Sequence, residues 1–347
     1  MHWSDIPADI LAVFRDGAVI PAHPLALDAD RKLDMRRQRA LARYYIDAGS
    51  GGLAVGVHTT QFAIRDVGLY RPVLETAAET AAAWTDRPLM LIAGAAGKTQ
   101  QAVEEAKTAR SLGYHAVLLS LAALKGASED ELIAHCEAVA AEMPLIGFYL
   151  QPAVGGMRLP MSFWTRFAAI DNVIGIKAAP FNRYATLDVV HGVAAAGAAD
   201  RITLYTGNDD HIVLDLILPF ATPHGEMRFS GGLLGHWSVW TQKATELLAR
   251  CKAVRGASTV PADLLRLDSA VTDSNAAFFD VANNFHGVIA GCHEVLRRQG
   301  LLEGRWCLDP HEDLSPGQAE AIDRVYRLYP DLNDDAFVAA NRDRWLA

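Results

Sequence analysis

Two apolar runs between Pro144 and Pro180 each carry one polar residue that could take part in covalent chemistry. The run PLIGFYLQP contains Tyr149, and the run NVIGIKAAP contains Lys177. A lysine held among apolar strands loses its hydration, which lowers the pKa of the ammonium group and frees the amine to attack a carbonyl. A phenol within reach can exchange protons with the product. The two residues together therefore predict a site that forms a Schiff base.

Each residue taken alone also has a simple structural interpretation. Lys177 could extend its ammonium group from a strand end into water, along an apolar stem. Tyr149 could be a core aromatic residue whose hydroxyl binds a carbonyl. The pair favours the catalytic interpretation, because two neighbouring strands of a sheet lie ~5 Å apart. At that spacing the phenol would reach the carbon chain bound to the amine.

Eight short apolar runs alternate with helical segments along the chain. The helical segments, such as QQAVEEAKTARSLG, repeat apolar residues at intervals of three and four, as helices do when they pack one face on a sheet. Near-continuous apolar strands between helices are typical of a parallel sheet buried on both faces. We predict an α/β fold, a (β/α)8 TIM barrel, with a doubly wound open sheet as the alternative. The runs are AVIPAH (18–23), GLAVGV (52–57), PLMLIAG (88–94), HAVLLS (115–120), PLIGFY (144–149), NVIGIK (172–177), RITLYTG (201–207) and GEMRFSGG (225–232).

The alternation divides the chain into three predicted parts. Residues 1–17 form an N-terminal helical segment that covers another surface, residues 18–255 form the barrel, and residues 256–347 form an all-helical C-terminal domain. Because such barrels place their sites at the carboxyl ends of the strands, polar residues and glycines that follow predicted strands are candidates for the site. These candidates are His58, Thr59 and Thr60 after the second strand, Gly207, Asn208 and Asp209 after the seventh, and Ser230 and Gly231 at the eighth.

Charge and cysteine content exclude several classes of function. The chain has 32 basic and 41 acidic residues, a net charge of −9, and therefore lacks the basic footprint of a protein that binds nucleic acid or an anionic membrane. Its four cysteines form no CxxC pair, and no run of 18 apolar residues or apolar leader is present. We expect a cytoplasmic protein with reduced thiols. No HxH or HExxH pair occurs, and a lysine imine needs no metal, so we expect neither a metal nor another cofactor.

Four segments carry a family resemblance. The chain resembles the dihydrodipicolinate synthase and N-acetylneuraminate lyase family in PLIGFYLQP, which corresponds to the motif P-[VI]-x-x-Y-N-x-P, and in NVIGIKAA, which corresponds to N-[IV]-x-G-[IL]-K-x-[AS]. LYTGND and GGLAVGVHTTQFA fit two further motifs, and the separation of Tyr149 from Lys177 (177 − 149 = 28) agrees with the family. The resemblance implies class I aldolase chemistry on a (β/α)8 barrel with a helical C-terminal domain. It also implies a homodimer or homotetramer that acts on pyruvate or another 2-oxo acid.

The resemblance implies a role for most of the candidate residues. Lys177 would form the imine with the 2-oxo acid, and Tyr149 would move protons during addition and elimination. Thr59 and Thr60 would hold the substrate carboxylate, Gly207 would line the pocket, and Asn208 and Asp209 would shape its rim. From their place at the end of the eighth predicted strand, we also expect Ser230 and Gly231 to bind substrate.

The sequence also departs from the family pattern on one side of the site. The segment 57–61 reads Val-His-Thr-Thr-Gln where the family usually has Gly-Thr-Thr-Gly-Glu, so His58 replaces the first threonine. His58 could be a new general acid or base, or it could only hydrogen-bond a neighbouring loop. The segment 120–124 lacks the tyrosine pair of dihydrodipicolinate synthases, and Val154 stands where their substrate-binding arginine would fall. These departures speak against dihydrodipicolinate synthesis but leave imine chemistry intact.

Taken together, these features predict a lyase that acts through a 2-oxo acid imine on Lys177. The reaction is either aldol cleavage or condensation, or the dehydration of a 2-oxo-3-deoxy sugar acid. The alternative is a catalytically silent barrel that binds a 2-oxo acid or serves as a scaffold.

Overall fold

The computed structural model describes residues 1–347, and its centre is a parallel sheet of eight strands. Two further short strands, β8 and β9, form a separate antiparallel hairpin. The strands are β1 (Val19–Pro21), β2 (Gly52–Val55), β3 (Met90–Ala95), β4 (Ala116–Leu119), β5 (Leu145–Leu150), β6 (Val173–Ala179), β7 (Thr203–Thr206), β8 (Phe220–Thr222), β9 (Gly225–Met227) and β10 (Phe229–Leu234).

The parallel sheet closes into a barrel. Its strand order is β1-β10-β7-β6-β5-β4-β3-β2, so β1 and β2 are the two ends of the series. They meet through a parallel bridge between Ala22 and Ala54, where the His23 N–H donates to the Ala54 carbonyl over 2.8 Å. The predicted (β/α)8 barrel is therefore confirmed, and the open doubly wound sheet is wrong.

Helices follow the strands and pack on the outside of the barrel. Each one buries an apolar face, as α2 does with Leu41 and Tyr45, because the alternation of three and four places those residues on one side. The helices are α1 (Ala8–Asp16), α2 (Met35–Asp47), α3 (Tyr70–Trp84), α4 (Thr99–Ser111), α5 (Glu129–Ala140), α6 (Met161–Ala169), α7 (Arg183–Ala195), α8 (Ile212–Ile217), α9 (Thr241–Ala253), α10 (Ala262–Phe278), α11 (Val288–Arg298), α12 (Gln318–Leu328) and α13 (Asp335–Leu346). No helix is both long enough and apolar enough to span a membrane.

The N-terminal helix α1 fills the amino-terminal end of the barrel. Phe14 is 1% exposed and stacks on Tyr205 of β7, with ring centroids 4.8 Å apart. The Tyr205 hydroxyl donates to the Phe14 carbonyl over 2.7 Å and accepts from the Ala18 N–H over 3.1 Å. The Phe14 ring also occupies the space that a Cβ on Gly175 would need, at 2.8 Å. The barrel interior can therefore be entered only from its carboxyl end.

The eighth barrel strand begins later than its sequence pattern predicts. Gly225–Met227 pairs antiparallel with Phe220–Thr222 in the hairpin, and the barrel strand is Phe229–Leu234. Ser230 and Gly231 consequently lie at its amino-terminal half, where a Cβ on Gly231 would meet the Ala18 carbonyl oxygen at 2.4 Å. The structure places these two residues at the end of the barrel that α1 fills, and substrate binding by them stays a prediction.

The chain after α9 is helical, and one of its connections reaches the carboxyl end of the barrel. The segment between α10 and α11 carries Phe279 and Phe285 to that end. At the other side α13 packs on α2, where the Tyr44 hydroxyl donates to Asp334 over 2.7 Å. The division of the chain at residues 17 and 255 stays a prediction.

Replacing Phe14 by alanine should destabilise the barrel. The substitution removes a fully buried ring from the amino-terminal plug, and we expect a loss of about 3–5 kcal/mol in the free energy of unfolding, measured in urea. Leu265→Ala is the matched control, because that side chain is 50% exposed and its loss should cost less than about 0.5 kcal/mol. Equal losses of unfolding free energy in the two variants would contradict the role of the Phe14 ring in filling the amino-terminal end of the barrel.

Candidate active site

The strand register places Lys177 inside the barrel. On β6 it pairs with Phe148 of β5 and with Tyr205 of β7, and parallel partners point to the same face of the sheet. The side chain is 8% exposed, and its Nζ lies 4.4 Å from the centroid of the Phe148 ring. The amine therefore lies within the barrel, near its open end, against an aromatic face.

Tyr149 points away from Lys177. It lies on the outer face of β5, where its ring centroid is 5.3 Å from that of Trp164 on α6. Its hydroxyl oxygen accepts a hydrogen bond from the Leu159 N–H over 3.2 Å. The prediction that the phenol reaches the amine is wrong, because successive side chains of a strand point to opposite faces and Phe148 takes the inner position.

The family motif does not decide between Phe148 and Tyr149. The motif P-[VI]-x-x-Y-N-x-P has eight positions and the segment PLIGFYLQP has nine residues, so the motif tyrosine falls on Phe148 when counted from Pro144 and on Tyr149 when counted from Pro152. The structure separates the two residues. A Cβ on Gly147 would meet aromatic rings of α6, so Gly147 and Tyr149, two residues apart on one strand, both face that helix.

Asp209 is the charged partner of Lys177. It follows β7, is 5% exposed, and its Oδ1 has no hydrogen-bond partner. Burial lowers the pKa of the Lys177 ammonium group to about 8, against the opposing attraction of Asp209. Burial likewise raises the pKa of the Asp209 carboxyl to about 8, against the attraction of Lys177. The two groups therefore titrate as a coupled pair, in which the charge of each favours the charge of the other.

His58 lines the same cavity from the loop after β2. It is half-buried, and burial together with the nearby charge of Lys177 lowers the pKa of its imidazole to about 4. Its ring packs edge-on against Phe62, with centroids 5.9 Å apart. At neutral pH His58 is therefore uncharged and offers one N–H donor and one acceptor.

The two threonines after His58 bind the barrel itself. The Thr59 hydroxyl donates to the Ala22 carbonyl over 2.7 Å, and the Thr60 hydroxyl donates to the His23 carbonyl over 2.6 Å. Thr59 lines the cavity, whereas Thr60 does not. In this arrangement neither hydroxyl has a proton left for a substrate carboxylate. Carboxylate binding by these residues remains a prediction, and the geometry leaves that task to other donors.

Gly207 lines the cavity beside the lysine stem. A Cβ at this position would lie 2.7 Å from the Cε of Lys177 and 2.7 Å from the Cβ of Ala179. Because glycine has no side chain, the Lys177 stem has room to pack at this position.

Asn208 does not line the cavity. Its side-chain amide donates to the buried carboxylate of Asp215 over 2.9 Å, and its oxygen accepts from the Phe181 N–H over 3.2 Å. Asp215, which also pairs with Arg183, holds the loop after β7 in place. Asn208 thus ties that loop to the loop after β6, and contact with a substrate at the rim stays a prediction for this residue.

The cavity extends from Lys177 to the carboxyl end of the barrel. The space inside it, with the open solvent at its mouth included, is about 540 Å³. Its polar side chains lie around the lysine and at Gln151, and apolar ones form most of the remaining wall, including three from the C-terminal helical region. The lining residues are Ala22, Val57, His58, Thr59, Phe148, Leu150, Gln151, Val154, Lys177, Ala179, Phe181, Gly207, Asp209, Gly235, Phe279, Phe285 and Val288.

These features define a (β/α)8 barrel with a buried lysine on its sixth strand, open to a cavity at the carboxyl end. The chain belongs to the dihydrodipicolinate synthetase family, whose family model matches residues 16–220. Members of this family are lyases that form a Schiff base with pyruvate. The predicted family is therefore confirmed.

Individual relatives are distant. The 4-hydroxy-tetrahydrodipicolinate synthase of Moorella thermoacetica is 29% identical over 208 residues, which cover 58% of this chain and 66% of the relative. N-acetylneuraminate lyase 2 of Escherichia coli is 23% identical over 314 residues, 89% of this chain and 92% of that enzyme. A probable 5-dehydro-4-deoxyglucarate dehydratase of Acinetobacter baumannii is 34% identical over 112 residues, 32% of this chain and 34% of that protein.

Solved structures of the family share the fold. A dihydrodipicolinate synthase superimposes with a TM-score of 0.74 at 17% identity, covering 90% of this chain and 99% of its own. The N-acetylneuraminate lyase of Fusobacterium nucleatum, solved with pyruvate, gives a TM-score of 0.72 at 18% identity, covering 92% of this chain and 98% of its own. At such identities the likeness establishes the fold alone.

Replacing Gly207 by alanine should displace the lysine amine. The new methyl group would meet the Lys177 stem at 2.7 Å, so we expect the rate of adduct formation with pyruvate and borohydride to fall by about tenfold or more. The melting temperature serves as the control: a variant that melts with the wild type yet traps pyruvate slowly supports the steric explanation. Unchanged trapping would contradict it.

Proposed function

We propose that this protein is a lyase in which Lys177 forms a Schiff base with a 2-oxo acid. The observation that carries the proposal is the buried Lys177 amine on the sixth strand, with a pKa near 8, at the inner end of the cavity. The free amine adds to the C2 carbonyl, and the departing oxygen takes a proton from the Asp209 carboxyl and leaves as water, so that a protonated imine remains. That imine accepts the electron pair released when the bond from C3 to C4 breaks, and an enamine results. Protonation at C3 and hydrolysis then free pyruvate and the lysine.

Asp209 is proposed as the residue that moves protons in this reaction. A carboxyl with a pKa near 8 exists in both protonation states at neutral pH, which suits a general acid and base. Its unpartnered Oδ1 and its place in the cavity wall support this role, whereas Tyr149 lies on the opposite face of its strand. Asp209 would accept the C4 hydroxyl proton during cleavage and return a proton to C3.

His58 is proposed as a donor to the substrate carboxylate. The hydroxyl protons of Thr59 and Thr60 are directed to carbonyls of the barrel, so the imidazole N–H is the side-chain donor on that wall. A neutral imidazole fits this role better than that of a general base, because its pKa of about 4 makes it a weak base at pH 7.

A catalytically silent binding barrel is the second candidate. The observation that favours it is Phe148, an aromatic residue without a hydroxyl in the inner position beside Lys177. Such a protein would form the imine and release the 2-oxo acid unchanged.

The assembly and the compartment are also proposals. We propose a homodimer or homotetramer, which light scattering on the purified chain would measure. A monomeric dihydrodipicolinate synthase variant is among the similar solved structures, at a TM-score of 0.73 and 18% identity. A cytoplasmic location is consistent with four buried, unpaired cysteines.

Pyruvate and borohydride should label Lys177. Reduction of the imine fixes the pyruvate carbon skeleton to the amine, and mass spectrometry of the digested protein should find the adduct on the peptide that carries Lys177. Lys177→Ala should abolish it. If wild-type protein gives no adduct with pyruvate or any other 2-oxo acid, the proposed function fails.

Asp209→Asn should separate imine formation from turnover. We expect the pyruvate adduct to persist while cleavage slows by about 100-fold or more, since the amide cannot transfer the proton. The pH dependence gives a second readout. In the wild type, adduct formation should rise with pH through a midpoint near 8, because only the free amine attacks. Asp209 holds the lysine pKa up, so its loss should move this midpoint to lower pH.

Tyr149→Phe is the matched control for Asp209→Asn. It removes a hydroxyl on the outer face of β5 and should leave both trapping and turnover close to the wild type. A large loss of turnover in this control, with Asp209→Asn active, would reverse the two assignments. Adduct formation without turnover in the wild type, on every 2-oxo acid tested, would favour the silent barrel.

A further inference from the structure

The outer part of the cavity points to the kind of substrate that enters it. We propose that the fragment carried beyond C3 of the bound 2-oxo acid is apolar, an aromatic or branched aliphatic group, and neither a polyhydroxy chain nor a second acid. This inference rests on the proposed imine chemistry and adds the substrate class. It is carried by the charges, the hydrogen-bonding groups and the backbone of the cavity wall.

Charge is the first argument. Among the lining residues Lys177 is the basic group that is charged at neutral pH, and its charge, as the ammonium or as the protonated imine, is engaged at C2 of the 2-oxo acid. The acidic residue of the wall is Asp209, which offers no counter-charge to a second carboxylate or a phosphate. Val154 lines the wall where the family resemblance places a substrate-binding arginine. A second anionic group would therefore lose its hydration without gaining a counter-charge.

Hydrogen bonding is the second argument. Beyond the residues around the lysine, the polar side chain of the wall is Gln151, and the other lining residues include Leu150, Val154, Phe181 and Phe285. A polyhydroxy chain would bury several hydroxyls against these apolar groups. Each buried hydroxyl without a partner weakens binding, whereas an apolar fragment gains from the same surface.

The backbone of the wall is the third argument. Phe181 and Phe285 have φ values of 50° and 65°, a region that bulky residues rarely adopt, and their rings pack against each other with centroids 5.9 Å apart. Both are held there by neighbours: Asn208 accepts from the Phe181 N–H, and the Asp280 carbonyl accepts from the Phe285 N–H over 3.0 Å. A strained backbone that is fixed from outside is typical of a functional wall. Here it keeps two aromatic rings at the cavity.

Competitive trapping tests the inference. Wild-type protein is incubated with equal concentrations of 4-phenyl-2-oxobutanoate, 2-oxoglutarate and a 2-oxo-3-deoxy sugar acid, and borohydride then fixes whichever imine has formed. We expect the phenyl adduct on Lys177 to exceed each of the others by about tenfold or more. An excess of either polar adduct, or equal amounts of all three, would overturn the apolar substrate class while the imine chemistry stood.

Variants of the wall sharpen the test. Phe285→Ala should reduce the phenyl preference severalfold, and Val154→Arg should shift trapping toward 2-oxoglutarate. Tyr184→Ala is the matched control, because that ring is 83% exposed and does not line the cavity. It should keep the wild-type ratio. If the ratio of the phenyl adduct to the polar adducts changed equally in all three variants, the proposal that the cavity wall determines the preference would fail.

Calorimetry keeps the two proposals separable. If no 2-oxo acid gives an adduct, the imine function fails, and binding of 4-phenylbutanoate and glutarate, which have no carbonyl to react, is compared directly. Tighter binding of 4-phenylbutanoate by about tenfold would retain the apolar cavity. Equal or weaker binding would overturn it.

Discussion

Removing an ammonium group from water is costly, and the interior of this barrel is arranged around the one on Lys177. The cost appears as a pKa that falls to about 8 for Lys177, and the same burial raises the pKa of Asp209 to about 8. Each group makes the charge of the other less costly. The rest of the site follows from keeping this pair dry: α1 fills the barrel below it, and Phe148 covers the amine from one side.

Imine chemistry and substrate recognition are placed on different parts of the chain. The lysine, Gly207 and Asp209 lie on or next to β6 and β7, in the part matched by the family model. The apolar wall draws on the loops after β5 and β6 and on the segment between α10 and α11. Because of this division, a chain can keep the lysine of the sixth strand while the side chains that line the cavity differ from those of its relatives.

The periodicity of the sequence was sufficient to predict the barrel and the position of Lys177 on a buried strand. Buried strands and amphipathic helices repeat their apolar residues at different intervals. The periodicity failed where one residue of register decides the result. Tyr149 and Phe148 are adjacent in the sequence, yet only the inward one can meet the lysine, and hydrophobicity does not distinguish the two faces of a strand that is buried on both. The same limit explains why Ser230 and Gly231 were predicted at the carboxyl end of the last strand and lie in its amino-terminal half. The short hairpin before that strand has a sequence that resembles a continuation of it. Phe279 and Phe285 carried no signal, because their approach to Lys177 depends on how distant helices pack.

The contact between α1 and β7 has a consequence for the order in which the barrel folds. The Tyr205 hydroxyl donates to the Phe14 carbonyl across a separation of 191 residues, so this contact closes a long loop. Contacts between residues far apart in the sequence form late in folding. Closing the long loop between them costs conformational entropy before the contact can stabilise the fold. During synthesis α1 cannot make this contact until β7 has left the ribosome. Until then the apolar interior of the barrel is exposed to water and to other chains.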